Sequence, residues 1–505
     1  MSARPGQTGG EQDAGEQDGG EQDAGEQDAG EQDAGEDATR AGQAETEAGA
    51  LAPTGGDLVA FSTAVRAWFV ISLQTFGGPA GQIAVMQRTL VEEKRWIGQR
   101  RFSHALNYCM LLPGPEAQQL AIYIGWLLNG VRGGLAAGVL FVLPGVVALL
   151  GLSVVYVAAG DTTAVTAVFA GLAPAVLAVV AQAVWRVGKR SLHHPGLVAL
   201  AVAAFAALLV FAVPFPIVIA AAGMTGWLLG RHAPGVMRGP AADAHDDDQA
   251  PPLINDDTLH HVAPTARRTL TVLTVGLVAW AVPLLVVLVL TGTGSVFTAQ
   301  GVFFSGTAVV TFGGAYAVLA FVAQRAVEVY GWLSPGEMVR GLALAETTPG
   351  PLIMVVQFVA FLGAYRHPGG LDPWVAGVLG SLITVWVTFV PCFLFVFLGA
   401  PSIERLRHNH ALSAALTGVT AAVVGVIANL ALYFALHTLF TTTHLLVWGP
   451  VAVQLPDPTT LRPVAVGITL GALVMIFRLR WSVLRTLGVC ALLGVGAAVV
   501  ALPLT

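Results

Sequence analysis

From residue 57 onward the chain is a series of apolar runs, interrupted at regular places by residues that helices do not tolerate. Residues 58–75 are apolar apart from Arg66 and stop at Phe76-Gly77-Gly78-Pro79. A short apolar piece then reaches Gln87, and a polar loop spans 88–103. Two further pieces, 104–112 and 116–128, flank Pro113-Gly114-Pro115. Each is too short to cross about 30 Å of hydrocarbon. They form either one broken helix or a re-entrant hairpin with Pro-Gly-Pro at its tip. Apolar runs near 133–158, 162–185, 196–213 and 215–230 follow, and 270–290 stands alone. The pattern predicts an all-α, polytopic membrane protein with broken or re-entrant helices.

The same punctuation occurs twice. Phe76, Glu92, Trp96 and Pro113 are followed by Phe312, Glu328, Trp332 and Pro349 at a constant offset of 236 residues. Further on, the run from Gly171 resembles the run from Gly418 at an offset of 247. Duplicated, interrupted apolar segments point to a transporter's binding site. The expected organisation is a tail at 1–56, a first repeat at 57–230, a linker at 231–268, a connecting helix at 269–297 and a second, inverted repeat at 298–505.

Composition agrees with a bilayer. The chain is 55% hydrophobic and 11% charged, with a mean hydropathy of +0.70; soluble domains carry about 25% charged residues. The net charge of −6 conceals a division. Residues 1–50 hold 14 of the 31 acidic residues, so the remainder has 17 acidic against 23 basic. The repetitive acidic tail lacks apolar residues to bury and is expected to be disordered. Cys109, Cys392 and Cys490 lie in separate apolar segments and read as core residues.

Basic residues orient the spans. Arg88, Lys94, Arg95, Arg100 and Arg101 place the first loop in the cytoplasm, and Arg132, Arg186, Lys189, Arg190, Arg231 and Arg238 follow suit under a hairpin scheme. The lone span at 270–290 then inverts the second half. Its counterpart loop is accordingly not basic, residues 433–461 carry no basic residue before Arg462, and Arg478, Arg480 and Arg485 lie inside. The expectation is a bacterial cytoplasmic membrane protein with its N-terminus inside and its C-terminus outside.

Breaks in membrane helices expose backbone N–H groups carrying about half a positive charge at a helix start. Such starts are anion sites. Gly77, Gly78, Gly313 and Gly314 allow close backbone approach, and Pro115 and Pro351 suit a restarting helix. Gln82, Gln118, Gln119 and Thr348 supply amide and hydroxyl groups beside the breaks. The candidate substrate-binding residues are Gly77, Gly78, Pro79, Gln82, Arg88, Pro113, Gly114, Pro115, Gln118, Gln119, Gly313, Gly314, Thr348, Pro349, Gly350 and Pro351. Glu116 and Glu346 flank the two Pro-Gly-Pro segments on opposite sides and are candidates for coupling, because intramembrane carboxylates are costly and functional. Trp96 and Trp332 read as interfacial anchors. The sequence offers no P-loop, HExxH or Gly-x-Ser-x-Gly motif. No enzyme activity, cofactor, metal site or nucleic-acid partner is expected.

These motifs resemble the chromate ion transporter family. The resemblance rests on Phe76-Gly77-Gly78-Pro79, Glu92 with Trp96, the segment 112–121 around Pro-Gly-Pro, and their second-half partners. It covers roughly 57–504, as in the family's long two-domain members. The second copy departs from the first: Ala315 stands where Pro79 would, and Leu352-Ile353-Met354 follows Pro-Gly-Pro. The resemblance implies export of chromate, coupled to the proton motive force and conferring chromate resistance, with sulfate or another tetrahedral oxyanion as the alternative substrate. The lipid bilayer is the surrounding partner, and a homodimer is left open. A membrane enzyme or lipid-handling protein is the second alternative.

Overall fold

The computed structural model describes residues 57–160, 162–237, 253–254, 265–312, 314–400, 410–449 and 451–500. The acidic tail and most of the 231–268 linker lie outside the described residues, as does Gly313.

The first part begins with α1 (Phe61–Gln74) and α2 (Gly78–Gln87), which widens into a π-turn at Arg88–Glu93. α3 (Gln99–Cys109) and the long α4 (Glu116–Ala159) follow. α4 is two helices: Asn129 and Gly130 leave helical geometry, so limbs 116–128 and 131–159 fold back on each other. Glycine permits the approach, since a β-carbon on Gly125 would lie 2.5 Å from the Gly133 carbonyl. The start of α1 is tied to this turn, with the Leu58 amide donating to Leu128 at 3.0 Å and the Asn129 amide to Val59 at 2.6 Å. α5 (Thr163–Ser191), α6 (Pro195–Leu209) and α7 (Phe215–His232) complete this part.

α8 (Ala266–Thr291) is long and apolar and has no fully buried residue, and the Trp386 indole donates to its Ala279 carbonyl at 2.8 Å. α9 (Val296–Val310), α10 (Ala315–Gln324) with a π-turn at Arg325–Val329, and α11 (Pro335–Thr347) then repeat the order of α1, α2 and α3. A 3-10 turn (Leu352–Met354) leads into α12 (Val355–Arg366), and α13 (Pro373–Gly399) returns along it. Local chemistry sets these starts. Ser334 and Glu337 form a capping box on α11, Asp372 caps α13, and Pro occupies the first helical position of both.

α14 (His410–Leu439) matches α5 at the offset of 247 read from the sequence. α15 (Pro463–Leu473), continued by a π-turn at Val474–Arg478, and α16 (Val483–Val499) match α6 and α7 at 268. The larger offset is absorbed by an antiparallel hairpin, β1 (Thr443–Trp448) and β2 (Val451–Pro456), with Thr443 opposite Pro456. The segment is a hairpin where a plain loop is expected. Its short apolar strands are hard to tell from their surroundings, and the left-handed Gly449 (φ +60°) makes the turn.

The packing is exchanged between the two parts. α14 lies on α6 and α7, and α5 lies on α15 and α16. Glycines mark both crossings: Gly418 meets Gly226 and the Ala222 carbonyl, and Gly171 meets Gly494 and the Cys490 carbonyl. By the offsets of 247 and 268, Gly171 corresponds to Gly418 and Gly226 to Gly494. Five of the described helices are long and apolar enough to span a bilayer. The protein is an all-α, multi-pass membrane protein with one small β-hairpin.

Two expectations change. Trp96 and Trp332 are buried rather than interfacial. Each closes the π-turn before it, its amide donating to Leu90 and Ala326 respectively, and Trp332 stacks on Tyr330 at 4.3 Å. The linker also contains a docked element. Ile254 is fully buried and, with Leu253, pairs along Arg95–Gly98 of the first basic loop.

Candidate functional site at the crossed helix breaks

The breaks of one part bind those of the other. The Gly114 amide donates to the Thr311 carbonyl at 2.8 Å, and the Gly350 amide donates to the Thr75 carbonyl at 3.0 Å. Thr311 and Gly350 are the 236-residue counterparts of Thr75 and Gly114, so the pair of bonds is reciprocal. Each threonine hydroxyl is occupied within its own helix, Thr75 with Ser72 and Thr311 with Thr307. Each carbonyl is left to the opposite part because α1 and α9 end there.

Positive φ angles explain the glycines. Gly114 (+125°) and Gly350 (+101°) adopt the conformation that lets a Pro-Gly-Pro tip turn its amide outward. Gly78 (+72°) and Gly314 (+103°) do the same where α2 and α10 start. The helix starts after these breaks have no side-chain cap. No N-cap side chain therefore takes up their first N–H groups.

Carboxylates meet the glycine breaks across the same junction. Glu116, at the start of α4, places Oε1 3.4 Å from where a β-carbon on Gly314 would sit. Glu346, near the end of α11, is buried and accepts a hydrogen bond from the Tyr316 hydroxyl. That hydroxyl lies 3.6 Å from the β-carbon position of Gly78. Arg190, on α5, reaches the Met110 sulfur beside the first tip at 3.7 Å.

The remaining expected residues divide. Gln82 donates across the junction to the Gly350 carbonyl, while Gln119 donates to Pro113 and braces its own tip. Gln118 is fully buried, and neither end of its amide has a hydrogen-bond partner among the described residues. An unsatisfied buried amide costs about 1–3 kcal/mol. Pro79 lies in the first turn of α2, and Pro115 and Pro351 directly precede helix starts. The Pro113 carbonyl is the one Gln119 engages. The Pro349 carbonyl faces Gly145 of the long α4 limb. Gly77 is left-handed (φ +79°) with open space at its β-carbon position. The Thr348 hydroxyl donates to Ala345. Arg88 is not brought in: its guanidinium pairs with Glu93 at 2.9 Å on the exposed face of the π-turn.

Tyr316, which donates to Glu346, lies outside the expected set of site residues. Tyr316 was detectable as a tyrosine where the first copy has Ala80 at the 236-residue offset. Arg186 and Arg190, expected only as topological charges, recur one helical turn apart on α5.

Reciprocal helix breaks lined by buried amides and carboxylates, in a multi-pass helical bundle, define a membrane transport protein. A family model described as "Chromate transporter" matches residues 62–227 and again 298–496. The chain belongs to this chromate transporter family. It is 33% identical over 363 residues to the chromate transport protein of Pseudomonas aeruginosa, covering 70% of this chain and 76% of that one. The chromate transport protein of Cupriavidus metallidurans is 31% identical, covering 71% and 79%. A probable chromate transport protein of Synechococcus elongatus is 26% identical, covering 70% and 79%. No solved structure matches the chain.

Proposed function

We propose that the chain is a secondary transporter exporting chromate across the bacterial cytoplasmic membrane, thereby conferring chromate resistance. Residues 57–230 and 298–505 are two inverted repeats joined through a cytoplasmic linker (231–268) and a connecting helix (269–297). The N-terminus lies inside and the C-terminus outside. The carrying observation is the reciprocal pair of hydrogen bonds, Gly114 to Thr311 and Gly350 to Thr75, which joins the breaks of both repeats into one junction. Family membership supplies the substrate class. Backbone N–H groups at helix starts and the amides of Gln82 and Gln118 suit a tetrahedral dianion without a fixed cation at its centre.

Glu116 and Glu346 would carry the coupling proton. Protonated, either one removes a negative charge from the path of a dianion and becomes a hydrogen-bond donor; ionised, it repels. Alternation between those forms links anion movement to the proton gradient. Sulfate is the second substrate reading, because recognition by amides and hydroxyls responds to tetrahedral shape and charge.

The test is chromate uptake into inverted membrane vesicles with and without a proton gradient. Wild-type vesicles should accumulate chromate in a gradient-dependent manner, with radiolabelled sulfate as competitor. Glu116→Gln and Glu346→Gln should lose gradient dependence. Unchanged transport in both variants would sink the coupling role. Failure to move chromate or sulfate under any gradient would favour the membrane-enzyme or lipid-handling reading.

A further inference from the structure

Two cavities follow the same internal correspondence as the helices but differ in charge. The first, an open depression of about 360 Å³ at the end of α5, is lined by Gln182 and the exposed Trp185, Arg186, Lys189 and Arg190. The second, about 320 Å³, lies against α14. At the 247-residue offset Gln182 becomes Asn429, Trp185 becomes Leu432, Arg186 becomes Tyr433 and Lys189 becomes Leu436. All four counterparts line the second cavity. Across the cavities, Ile476 and Phe477 of the first correspond to Leu208 and Leu209 of the second at an offset of 268.

The cavities therefore occupy equivalent positions in the two parts, with different chemistry. Three cations line the first and no carboxylate does. No lysine or arginine lines the second, and Glu328 does. Among the described residues none of Arg186, Lys189 and Arg190 forms an ion pair. The first cavity approaches the first helix break: Arg190 reaches the Met110 sulfur at 3.7 Å, three residues before Pro113.

We infer that the α5 cavity is an anion-capture site, in which Arg186, Lys189 and Arg190 with the Gln182 amide hold a tetrahedral oxyanion dianion before it moves to the helix breaks. Its α14 counterpart is a mouth that holds the anion weakly. This inference rests on the proposed transport reading and its orientation, which put the cationic cavity on the cytoplasmic side. Guanidinium groups match oxyanions in a bidentate way, and the lysine adds a mobile charge. A cleft lined by one sign of charge raises the local concentration of its counter-ion. The effect weakens with salt, because exposed charges are screened over about 8 Å at physiological ionic strength. An anion would be drawn in at one mouth and released readily at the other, where Glu328 opposes its return.

The experiment uses full-length purified protein with two readouts. Trp185 lines the capture site, so the fluorescence difference between wild type and Trp185→Phe isolates its signal. Titration with chromate should quench that component saturably, with sulfate competing. The triple variant Arg186→Gln/Lys189→Gln/Arg190→Gln should weaken apparent affinity roughly tenfold, a loss within the range of electrostatic focusing. The Arg186→Lys/Arg190→Lys variant should fall between wild type and the triple variant, since it keeps the charge and loses the bidentate fork. A Trp185 signal blind to chromate, or a triple variant indistinguishable from wild type, overturns the capture site. In oriented proteoliposomes the triple variant should raise KM for chromate roughly tenfold from the α5 side only. Tyr433→Arg/Leu436→Lys should lower KM from the opposite side; equal KM at both faces in all proteins overturns the asymmetry. If wild type transports neither chromate nor sulfate, the transport reading falls, while the Trp185 titration still decides whether the cavity captures oxyanions.

Discussion

Gly350 donates its amide to the carbonyl of Thr75, 3.0 Å away across 275 residues of chain, and Gly114 returns the same bond to Thr311 at 2.8 Å. The two bonds join residues that stand at the same 236-residue offset in the sequence. This pairing makes the two Pro-Gly-Pro tips structural as well as chemical elements: each closes the helix end of the other part.

The two tips should respond unequally to substitution. Gly114→Ala and Gly350→Ala both force a side chain into positive φ, at about 1–2 kcal/mol. At Gly114 the new β-carbon would also lie 2.8 Å from the Gln119 amide and 2.9 Å from the Cys392 sulfur. At Gly350 the nearest atom is the Gly145 α-carbon at 3.4 Å. Overpacking adds roughly 1–3 kcal/mol, so Gly114→Ala should show the lower Tm by detergent-solubilised thermal unfolding. Equal destabilisation would mean that packing at the first tip is relaxed.

Tyr316 and Glu346 should act as one unit. A hydrogen bond to a charged group is worth about 1.5–3 kcal/mol, so Tyr316→Phe should slow gradient-driven chromate transport at least tenfold. Coupled residues give non-additive effects. The double variant Tyr316→Phe/Glu346→Gln should therefore be no slower than Glu346→Gln alone in proteoliposomes. Additive losses would separate the tyrosine from the carboxylate.

The breaks themselves were legible because chemistry permits few substitutes. Only glycine adopts positive φ without strain, and Pro-Gly-Pro at a fixed offset is readable along one dimension. What each break touches was not legible, since Thr75 meets Gly350 only through the exchanged packing of two distant parts. Trp96 and Trp332 illustrate the same limit: tryptophan beside a charged loop suits an interface, yet the π-turns before them direct both rings inward. Arg186 and Arg190 are legible as charge in the sequence, but the approach of Arg190 to Met110 beside the first tip depends on the fold. Tyr316 was hidden in an apolar run, where one hydroxyl barely changes the pattern.

The exchanged packing predicts intolerance at its glycine crossings. A β-carbon on Gly171 would overlap the Cys490 carbonyl, and one on Gly226 would lie 2.5 Å from the Ala414 carbonyl. Both obstacles are backbone, which cannot rotate away. Gly171→Ala and Gly226→Ala should sharply reduce the monodisperse peak in fluorescence-detected size exclusion. Gly467→Ala, with open space around it, should leave the peak intact or slightly improved, as alanine favours helix by roughly 1 kcal/mol. Equal behaviour of all three would contradict the close crossing.

Stability in acid should depend on the pair at the start of α11. Arg366 donates to both Glu337 oxygens, at 3.0 and 2.6 Å, while the Ser334 amide and hydroxyl donate at 2.9 and 3.0 Å. Burial alone would raise the Glu337 carboxyl, but the bonds from Arg366 and Ser334 outweigh it and hold the group below the usual carboxylate range. A depressed native value means that the unfolded chain takes up the proton first. The contribution is therefore complete above the ordinary value of 4.5 and is lost as pH falls through the lower native one. Arg366 is 42% exposed, so solvent screening limits the pair and cap together to about 1–2 kcal/mol. Glu337→Gln should lower Tm at pH 7, and the difference from wild type should shrink as pH falls below 4.5. A difference that stays constant across that window would assign the loss to packing rather than to the carboxylate's charge.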